Sequence, residues 1–452
     1  MRVLGFGGGQ ISEAAGGYNV DNSLRFNDGS SDSLSDSFSS PSSRDTFTVS
    51  AWVKMTGGGG ANQIPIVSFD GSSQYMTIRF STTFKFDVIS YQGGTTGRLI
   101  SNAFYRDYSA WYHIVASIDS TQATSSNRMK LYVNGEQITS FATANYPSQN
   151  TDMISASMTS VRVGAGVDQV GTTSYYDGYM AEVCYIDGTA LDPTSFGEFD
   201  EDSGIWKPID VSGLTFGTNG FYLPFENSAA LGQDDSGNGN NFTVNNLTSI
   251  DQTTDTPTNN YCTFNPLDVT ADDEPTLSEG NLKAVADGAF HQQRSTFYLT
   301  KGKWYWEFKA TSVGTAFQGG VVGSNYAGGV GLRRNYQNSG AKYIDGSSSS
   351  YGATFTNGDI IGVALDLDNG TLIFYKNGVS QGTAFTDMLS AIGQDGWTPD
   401  ALIYNSTVEM NFGNPPFTIS SGNSDGNGYG NFEYSVPSGY YALNTKNLAE
   451  YG

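Results

Sequence analysis

Two histidines, one acidic run and one Asp-Ser-Asn loop are the places where this sequence could do chemistry. A Ser-His-Asp or Cys-His nucleophile needs His113 or His291, the only imidazoles in 452 residues. His113 stands in WYHIVASID (111–119) among apolar neighbours, so it reads as a strand residue with a satisfied ring. His291, in AFHQQRS (289–295), reads as a surface hydrogen-bonder. Neither has a recognisable partner motif. Carboxylates at alternate strand positions would face an acid and a nucleophile into one cleft. The nearest text is Glu198-Phe199-Asp200-Glu201-Asp202, which lacks flanking strand residues and reads as a solvated acidic run. No catalytic residue is assigned, and the chain is read as a non-enzyme.

A hard cation asks for oxygen ligands at alternate positions around a glycine turn. Asp234, Ser236 and Asn238 supply them in DDSGNG (234–239), but Asn245 stands where an EF-hand needs a bidentate Glu. These three are the candidate metal residues, for an irregular Ca2+ loop, with a plain polar turn as the competing account. Asp366 and Asp368 read as setters of a hairpin turn. Loop aromatics stack on sugar faces. YRDYSAWY (105–112), TTSYYDGY (172–179) and SNYAGG (324–329) nominate Tyr108, Tyr175, Tyr176 and Tyr326 as ligand-binding residues. Core packing or subunit contact explains each equally well. GFGGGQ (5–10), GGGGAN (57–62) and GAGVDQVG (164–171) do not follow a strand and open a helix, so they are turns and not phosphate cradles.

Composition narrows the classes. The chain has 56 Gly and 27 each of Tyr and Phe, with only 15% charged residues, which is a turn-rich, β-type usage. A net charge of −23 repels phosphate backbones and anionic headgroups, so nucleic acid is not an expected partner. No run approaches the 18 apolar residues of a membrane span, and the first residues lack an apolar secretory core, so neither membrane insertion nor export is expected. Cys184 and Cys262 cannot form a disulfide framework; they are expected to stay thiols, a single bridge being the alternative.

The elements that must position these residues are strands. FTVSAWVKM (47–55) alternates apolar and polar residues, and short strands follow at intervals, separated by Gly, Ser and Asn clusters. LYVNGEQI (131–138) and FYKNGVSQ (374–381) each carry Asn-Gly, whose positive φ at both positions closes a hairpin. The predicted fold class is all-β, with two tandem antiparallel β-sandwiches.

The ordered motifs SLRFNDGSSDSL (23–34), FTVSAWVKM, WYHIVASID, KLYVNGEQI and DGYMAEVCYIDGTALDPTSF (177–196) resemble the laminin-G-like, concanavalin-A-like jelly roll. GKWYWEFKATS (302–312), GDIIGVALDLDNGTLIFYKNGV (358–379), GWTPDALIY (396–404) and VEMNFG (408–413) resemble the SPRY domain, which implies a binding surface of loops near residues 323–350. The expected order is an N-terminal anchor or arm (1–20), the jelly roll (21–200), an acidic and polar connector (201–265), the SPRY-like sandwich (266–420) and a C-terminal tail (421–452).

That combination, with TPTNNYCTFNPLD (256–268) and a closing ALNTKNL (442–448), is similar to virion proteins of tailed bacteriophages. The resemblance implies a structural virion protein: a tail-fibre or adhesin subunit, assembled in the host cytoplasm, that binds a host surface glycan or receptor non-covalently. Its expected partners are other virion proteins and further copies of itself, a trimer among the options. A capsid decoration or head-fibre protein is the first alternative, and a polysaccharide depolymerase the second.

Overall fold

The alternation in FTVSAWVKM becomes a ten-residue strand, Thr46–Met55, that buries Phe47, Val49, Ala51, Val53 and Met55 in one core. Trp52 and Lys54 alternate with them, on the opposite face of the strand. The structure is a computed structural model and describes residues 17–37, 43–57, 63–167, 171–268, 274–323, 332–391 and 396–452. The chain divides into two units, one spanning Tyr18–Thr258 and one containing Asn259–Gly452. Each is an antiparallel β-sandwich.

In the N-terminal unit the first sheet runs Glu136–Gln137, Met129–Val133, Tyr112–Asp119, Thr46–Met55, Gly178–Asp187, Ser23–Phe26, Gln252–Thr253, with Phe221–Leu223 also paired to Gly178–Asp187. The second runs Phe141–Asn145, Thr95–Ser101, Phe86–Gln92, Gln74–Phe80, Ile64–Asp70, Ser160–Val163, Ser33–Ser37, Thr243–Asn245. Residues of both sheets meet in one core, with Phe26, Phe47, Phe69, Phe80 and Phe86 fully buried.

The stretch expected to be a connector contributes three short strands to these two sheets and several side chains to their core. Phe221–Leu223 and Gln252–Thr253 extend the first sheet, Thr243–Asn245 closes the second, and Phe221, Leu223, Phe225, Leu231 and Phe242 join the core. Its polar composition reflects strands of only two or three residues, too short for periodicity to show. Residues 188–216 cross the outer face of the first sheet, where Phe196, Val211 and Phe216 cover Val115, Cys184 and Ile186.

In the C-terminal unit one sheet runs Thr276–Ser278, Lys283–Val285, Thr407–Asn411, Lys303–Ser312, Ile360–Asp366, Thr371–Lys376, Val379–Phe385; Tyr441–Ala442 adds one parallel pairing to Lys303–Ser312. Its partner sheet runs His291–Arg294, Trp397–Tyr404, Ala316–Gly323, Arg333–Gln337, Ala341–Ile344, Ser347–Ser350. Trp304, Trp306 and Phe308 share the core face, as their alternation predicts, with Tyr336 and Trp397 opposite.

The tail is ordered against this unit. Asn444 caps a seven-residue helix, Thr445–Tyr451, by accepting the N–H of Asn447. Cys262 N–H donates to Leu443 O, Thr445 N–H to Asn260 O, and Asn260 N–H to Thr445 Oγ1. The two stretches that carry the virion resemblance, 256–268 and 442–448, are therefore hydrogen-bonded to one another. Both cysteines are buried, unbridged thiols.

Candidate functional site

His113 is fully enclosed. It stacks between Trp52, ring centroids 4.8 Å apart, and Trp206, at 5.9 Å. Trp206 Nε1–H donates to Nδ1 at 3.0 Å, which leaves Nε2–H to donate to Ser50 Oγ at 2.8 Å. Burial drops its pKa to about 3, so the ring stays neutral and both nitrogens are used. His291 differs from the surface residue expected: it is 7% exposed, and its Nε2 lies 2.9 Å from Asp287 Oδ1.

The expected metal loop is an internally satisfied turn. Asp234 Oδ1 accepts the N–H groups of Tyr222 and Ser236; Oδ2 accepts Ser236 Oγ–H and the N–H of Asn240. Asn238 Nδ2 donates to the carbonyls of Gly217 and Gly220. A hard cation needs those carboxylate lone pairs directed at itself. Here they point at hydrogens, so Asp234, Ser236 and Asn238 do not fit Ca2+ and instead fasten residues 217–240 together.

The four nominated tyrosines separate. Tyr176 is 0% exposed, edge-on to Phe26, with its hydroxyl donating to Tyr179 O; a core position removes it from any sugar face. Tyr108 is half-buried, packed edge-on against Phe84. Tyr175 is half-buried on the short hairpin that pairs Thr173–Tyr175 with Ala165–Val167. Tyr326 lies outside the described residues. The acidic run sits on another hairpin, Gly197–Phe199 with Trp206–Pro208, where Lys207 pairs with Glu198 and Asp200.

Strand pairing gathers a set of residues that the sequence does not mark. On the outer face of the second sheet Tyr75 is opposite Tyr91, with stacked centroids 5.5 Å apart, and Arg79 is opposite Asp87. Asp87 is buried and accepts Arg79 Nε at 2.9 Å, Arg98 Nε at 3.0 Å and Arg98 Nη2 at 2.8 Å. One strand further, Arg162 Nη1 lies 3.3 Å from Asp70, whose other oxygen accepts Ser68 Oγ–H. Burial raises the Asp70 pKa, against those two contacts. Arg98 and Arg162 keep 28% and 30% of their side chains exposed, and Tyr91 is half-exposed. Fixed carboxylates thus hold two guanidinium groups, and Tyr75 holds the Tyr91 ring, on one polar face, an arrangement suited to hydrogen-bonding an extended polar ligand.

A second buried group is Glu182. It occupies a break in register between Ala181 and Cys184, with φ +51. Its Oε2 accepts the hydroxyls of Tyr222 at 2.8 Å and Tyr18 at 3.0 Å. Burial raises its pKa to about 7, opposed by those hydrogen bonds. A signal was present in GYMAEVCY: Met180, Val183 and Tyr185 are all core residues, so alternation slips by one at Glu182.

In the C-terminal unit Glu307, fully buried, accepts the N–H groups of Glu433 and Tyr434 at 2.9 Å each, Tyr305 O–H at 3.1 Å and Asn411 Nδ2 at 3.2 Å. It clamps the tail onto its sheet. Of the loop region expected to bind ligands, 332–350 is described: Arg334 holds Asp345 and Asp387, and Ser347–Ser350 is an exposed edge strand.

Residues 21–194 match the model of the concanavalin A-like lectin/glucanases superfamily, and residues 303–415 match that of the SPRY domain. Among known proteins, Ran-binding protein 10 of Danio rerio is 40% identical over 78 residues, which is 16% of this chain and 12% of that protein. Ran-binding protein 9 of Mus musculus is 39% identical over 74 residues, 16% of this chain and 11% of its own length. The ATP-dependent RNA helicase Ddx1 of Drosophila melanogaster is 30% identical over 160 residues, 32% of this chain and 22% of the helicase. Each match therefore spans less than a quarter of the relative. The crystal structure of the SPRY domain of human HERC1 aligns with a TM-score of 0.29 at 20% identity, over 32% of this chain and 96% of that one. The chain carries a concanavalin A-like jelly-roll domain followed in tandem by a SPRY domain.

Proposed function

We propose that this chain is a non-catalytic binding subunit of a tailed-phage particle, a tail-fibre or adhesin protein that holds a host surface glycan or receptor. The observation that carries the binding reading is the polar face on which Asp87 fixes Arg98 and, four strands along the same sheet, Asp70 fixes Arg162, with Tyr91 on a strand between them. Its carboxylates are already tied to arginine, an arrangement for recognition more than for acid and base chemistry. The superfamily name, which joins lectins with glucanases, supports a carbohydrate ligand. The virion setting rests on the sequence resemblance of the tandem domains together with the stretches 256–268 and 442–448. Multivalent display on a symmetric particle would convert weak contacts into avidity.

A protein target for the second domain is favoured by relatives named Ran-binding protein, which match through a short segment only. Capture of purified host envelope glycan by the intact chain, weakened at least tenfold in Arg98→Ala, is the expected outcome. Antibody labelling on the icosahedral shell instead of the tail would move the subunit to capsid decoration. Release of reducing sugar from the same glycan would overturn the non-catalytic reading.

A further inference from the structure

Away from the polar face, one row of side chains crosses the outer side of the first sheet. Tyr179 stands opposite Arg25 on one neighbouring strand and opposite Lys54 on the other, and Trp111 continues the row, since Val53 pairs with Tyr112. Residues 251–255 bring a carboxylate to each end of it. Asp251 reaches Arg25 at 3.4 Å, and Asp255 reaches Lys54 at 2.8 Å. The two pairs are not equivalent. Asp251 keeps 14% of its side chain exposed, whereas Lys54 and Asp255 are both 0% exposed. Lys207, Lys303 and Lys376, which also pair with carboxylates, stay 30%, 32% and 23% exposed.

Asp255 is fixed from three sides. Its N–H donates to Thr253 Oγ1 at 3.0 Å, its carbonyl accepts Ser23 Oγ–H at 2.6 Å, and its Oδ1 accepts Trp111 Nε1–H at 3.0 Å. Oδ2 is left to face Lys54 Nζ, which lies 5.4 Å from the centroid of the Tyr179 ring. Enclosing an ammonium and a carboxylate strips both of solvation, so any step that neutralises the two together is favoured. Proton transfer along the Nζ–Oδ2 hydrogen bond does this. It sets a neutral amine, a nucleophile, in contact with a carboxylic acid, an acyl group. Fixed contact supplies the proximity that a reaction in water lacks, and the closed surroundings exclude the solvent that would reverse a condensation.

We infer that Lys54 and Asp255 condense into an isopeptide amide, a covalent cross-link that the folded chain forms without an added reagent. Nζ gives one proton to Oδ2, and the lone pair so freed makes the Nζ–Cγ bond. The Cγ–Oδ2 bond then breaks, and Oδ2 leaves as water with two of the three ammonium protons; the third stays on the amide nitrogen. Oδ1 remains as the amide oxygen, and Trp111 Nε1–H stabilises the negative charge that collects there during attack. No oxidant, reductant or co-reactant is consumed. The Arg25–Asp251 pair is the internal control, because a guanidinium keeps its proton and does not become an amine nucleophile. The link joins the strand Thr46–Met55 to a residue just before Thr258, where the N-terminal unit ends. A pull along the chain from beyond Thr258 then meets a covalent bond before it reaches the pairing of Gln252–Thr253 with Ser23 and Leu24.

Intact-mass spectrometry of the full chain, unfolded before measurement, tests this. The expected mass is that of the sequence less one water, and a tryptic digest is expected to retain a branched peptide in which the segments carrying Lys54 and Asp255 stay joined. Lys54→Arg keeps a cation beside Asp255, and Asp255→Ala removes the acyl group; both variants are expected at their full sequence masses, without the branched peptide. Unchanged circular dichroism in Lys54→Arg shows that the loss is chemical and not a failure to fold. The wild-type measurement decides alone: a chain at its full sequence mass overturns the inference and leaves a buried ion pair. A missing water that maps to other residues, or that persists in Asp255→Ala, overturns it as well. None of these outcomes depends on glycan capture, so the cross-link and the binding reading stand or fall separately.

Discussion

The turns Asn134-Gly135 and Asn377-Gly378 are built alike but roofed differently. Asn134 and Asn377 have φ of 49 and 47, and Gly135 and Gly378 have φ of 80 and 77. Each Asn Oδ1 accepts the N–H that opens a neighbouring strand, His113 at 2.8 Å and Ile360 at 2.9 Å, and each Asn N–H is returned to the same residue's carbonyl. Each glycine lies under an aromatic ring from a covering segment: Trp206 in the first case, Tyr434 in the second. The turn is a local solution, reached twice wherever a hairpin ends at the edge of a sheet. The roof is not local. Trp206 sits in a backbone hairpin and is also pinned through its side chain, by stacking on His113 and one hydrogen bond to it; Tyr434 is held through the backbone alone, by a carboxylate that gathers four donors.

That difference makes the second roof the costlier one to cut. Glu307→Leu leaves the N–H groups of Glu433 and Tyr434 and the Tyr305 hydroxyl without their acceptor, while Asn411 Nδ2 keeps only its bond to Asn431 O. At about 1–3 kcal/mol for each orphaned donor, the expected loss is on the order of 5 kcal/mol. Urea unfolding would measure it, and limited proteolysis should find new cleavage within 421–452. A loss below about 1 kcal/mol, with the tail still protected, would break the contrast between the two roofs.

The first unit should instead reveal itself through pH. The folded pKa of His113, about 3, lies below its ordinary 6.5, so the unfolded chain binds the proton more readily. Its contribution is complete above pH 6.5 and is lost as pH falls toward 3, about 3 kcal/mol by pH 4. Glu182 acts in the opposite sense. Its pKa rises from 4.5 to about 7, so the folded state holds the proton more tightly, and stability is lost as pH rises through that window, by about 3 kcal/mol at most. Stability of the N-terminal unit is therefore expected to peak near pH 5–6. His113→Phe should flatten the acid limb and Glu182→Gln the alkaline one, read by urea midpoints across pH. A profile unchanged by either variant would show that neither group sets it.

How far such features could be read beforehand depends on sequence distance and length. Alternation in FTVSAWVKM and KWYWEF placed the core faces because each strand is ten residues long. Asn-Gly placed both hairpins because a turn needs only adjacent residues. The polar face eluded reading: Asp87 meets Arg79 and Arg98, and Asp70 meets Arg162, through the registers of separate strands, and a lone charge in a strand does not announce its partner. The expected Ca2+ loop had a plausible order of oxygens, but the composition of a loop does not tell whether backbone N–H groups already occupy them. Glu307 was visible as a letter of a motif, while its target lies 126 and 127 residues away.

The finest test of the paired turns is a single methyl group. A Cβ on Gly135 would lie 2.4 Å from Trp206 Cε3, and one on Gly378 2.6 Å from Tyr434 Cδ1, both at positive φ. Strain alone costs each Gly→Ala variant about 1 kcal/mol. The rings then decide between them. Trp206 is 8% exposed and pinned to His113, so it cannot retreat without breaking that hydrogen bond. Tyr434 is half-exposed, and only its backbone is clamped, so its ring can swing toward solvent. Gly135→Ala is therefore expected to cost about 1–2 kcal/mol more than Gly378→Ala in urea unfolding. Equal losses would mean that the turn, and not what roofs it, sets the penalty.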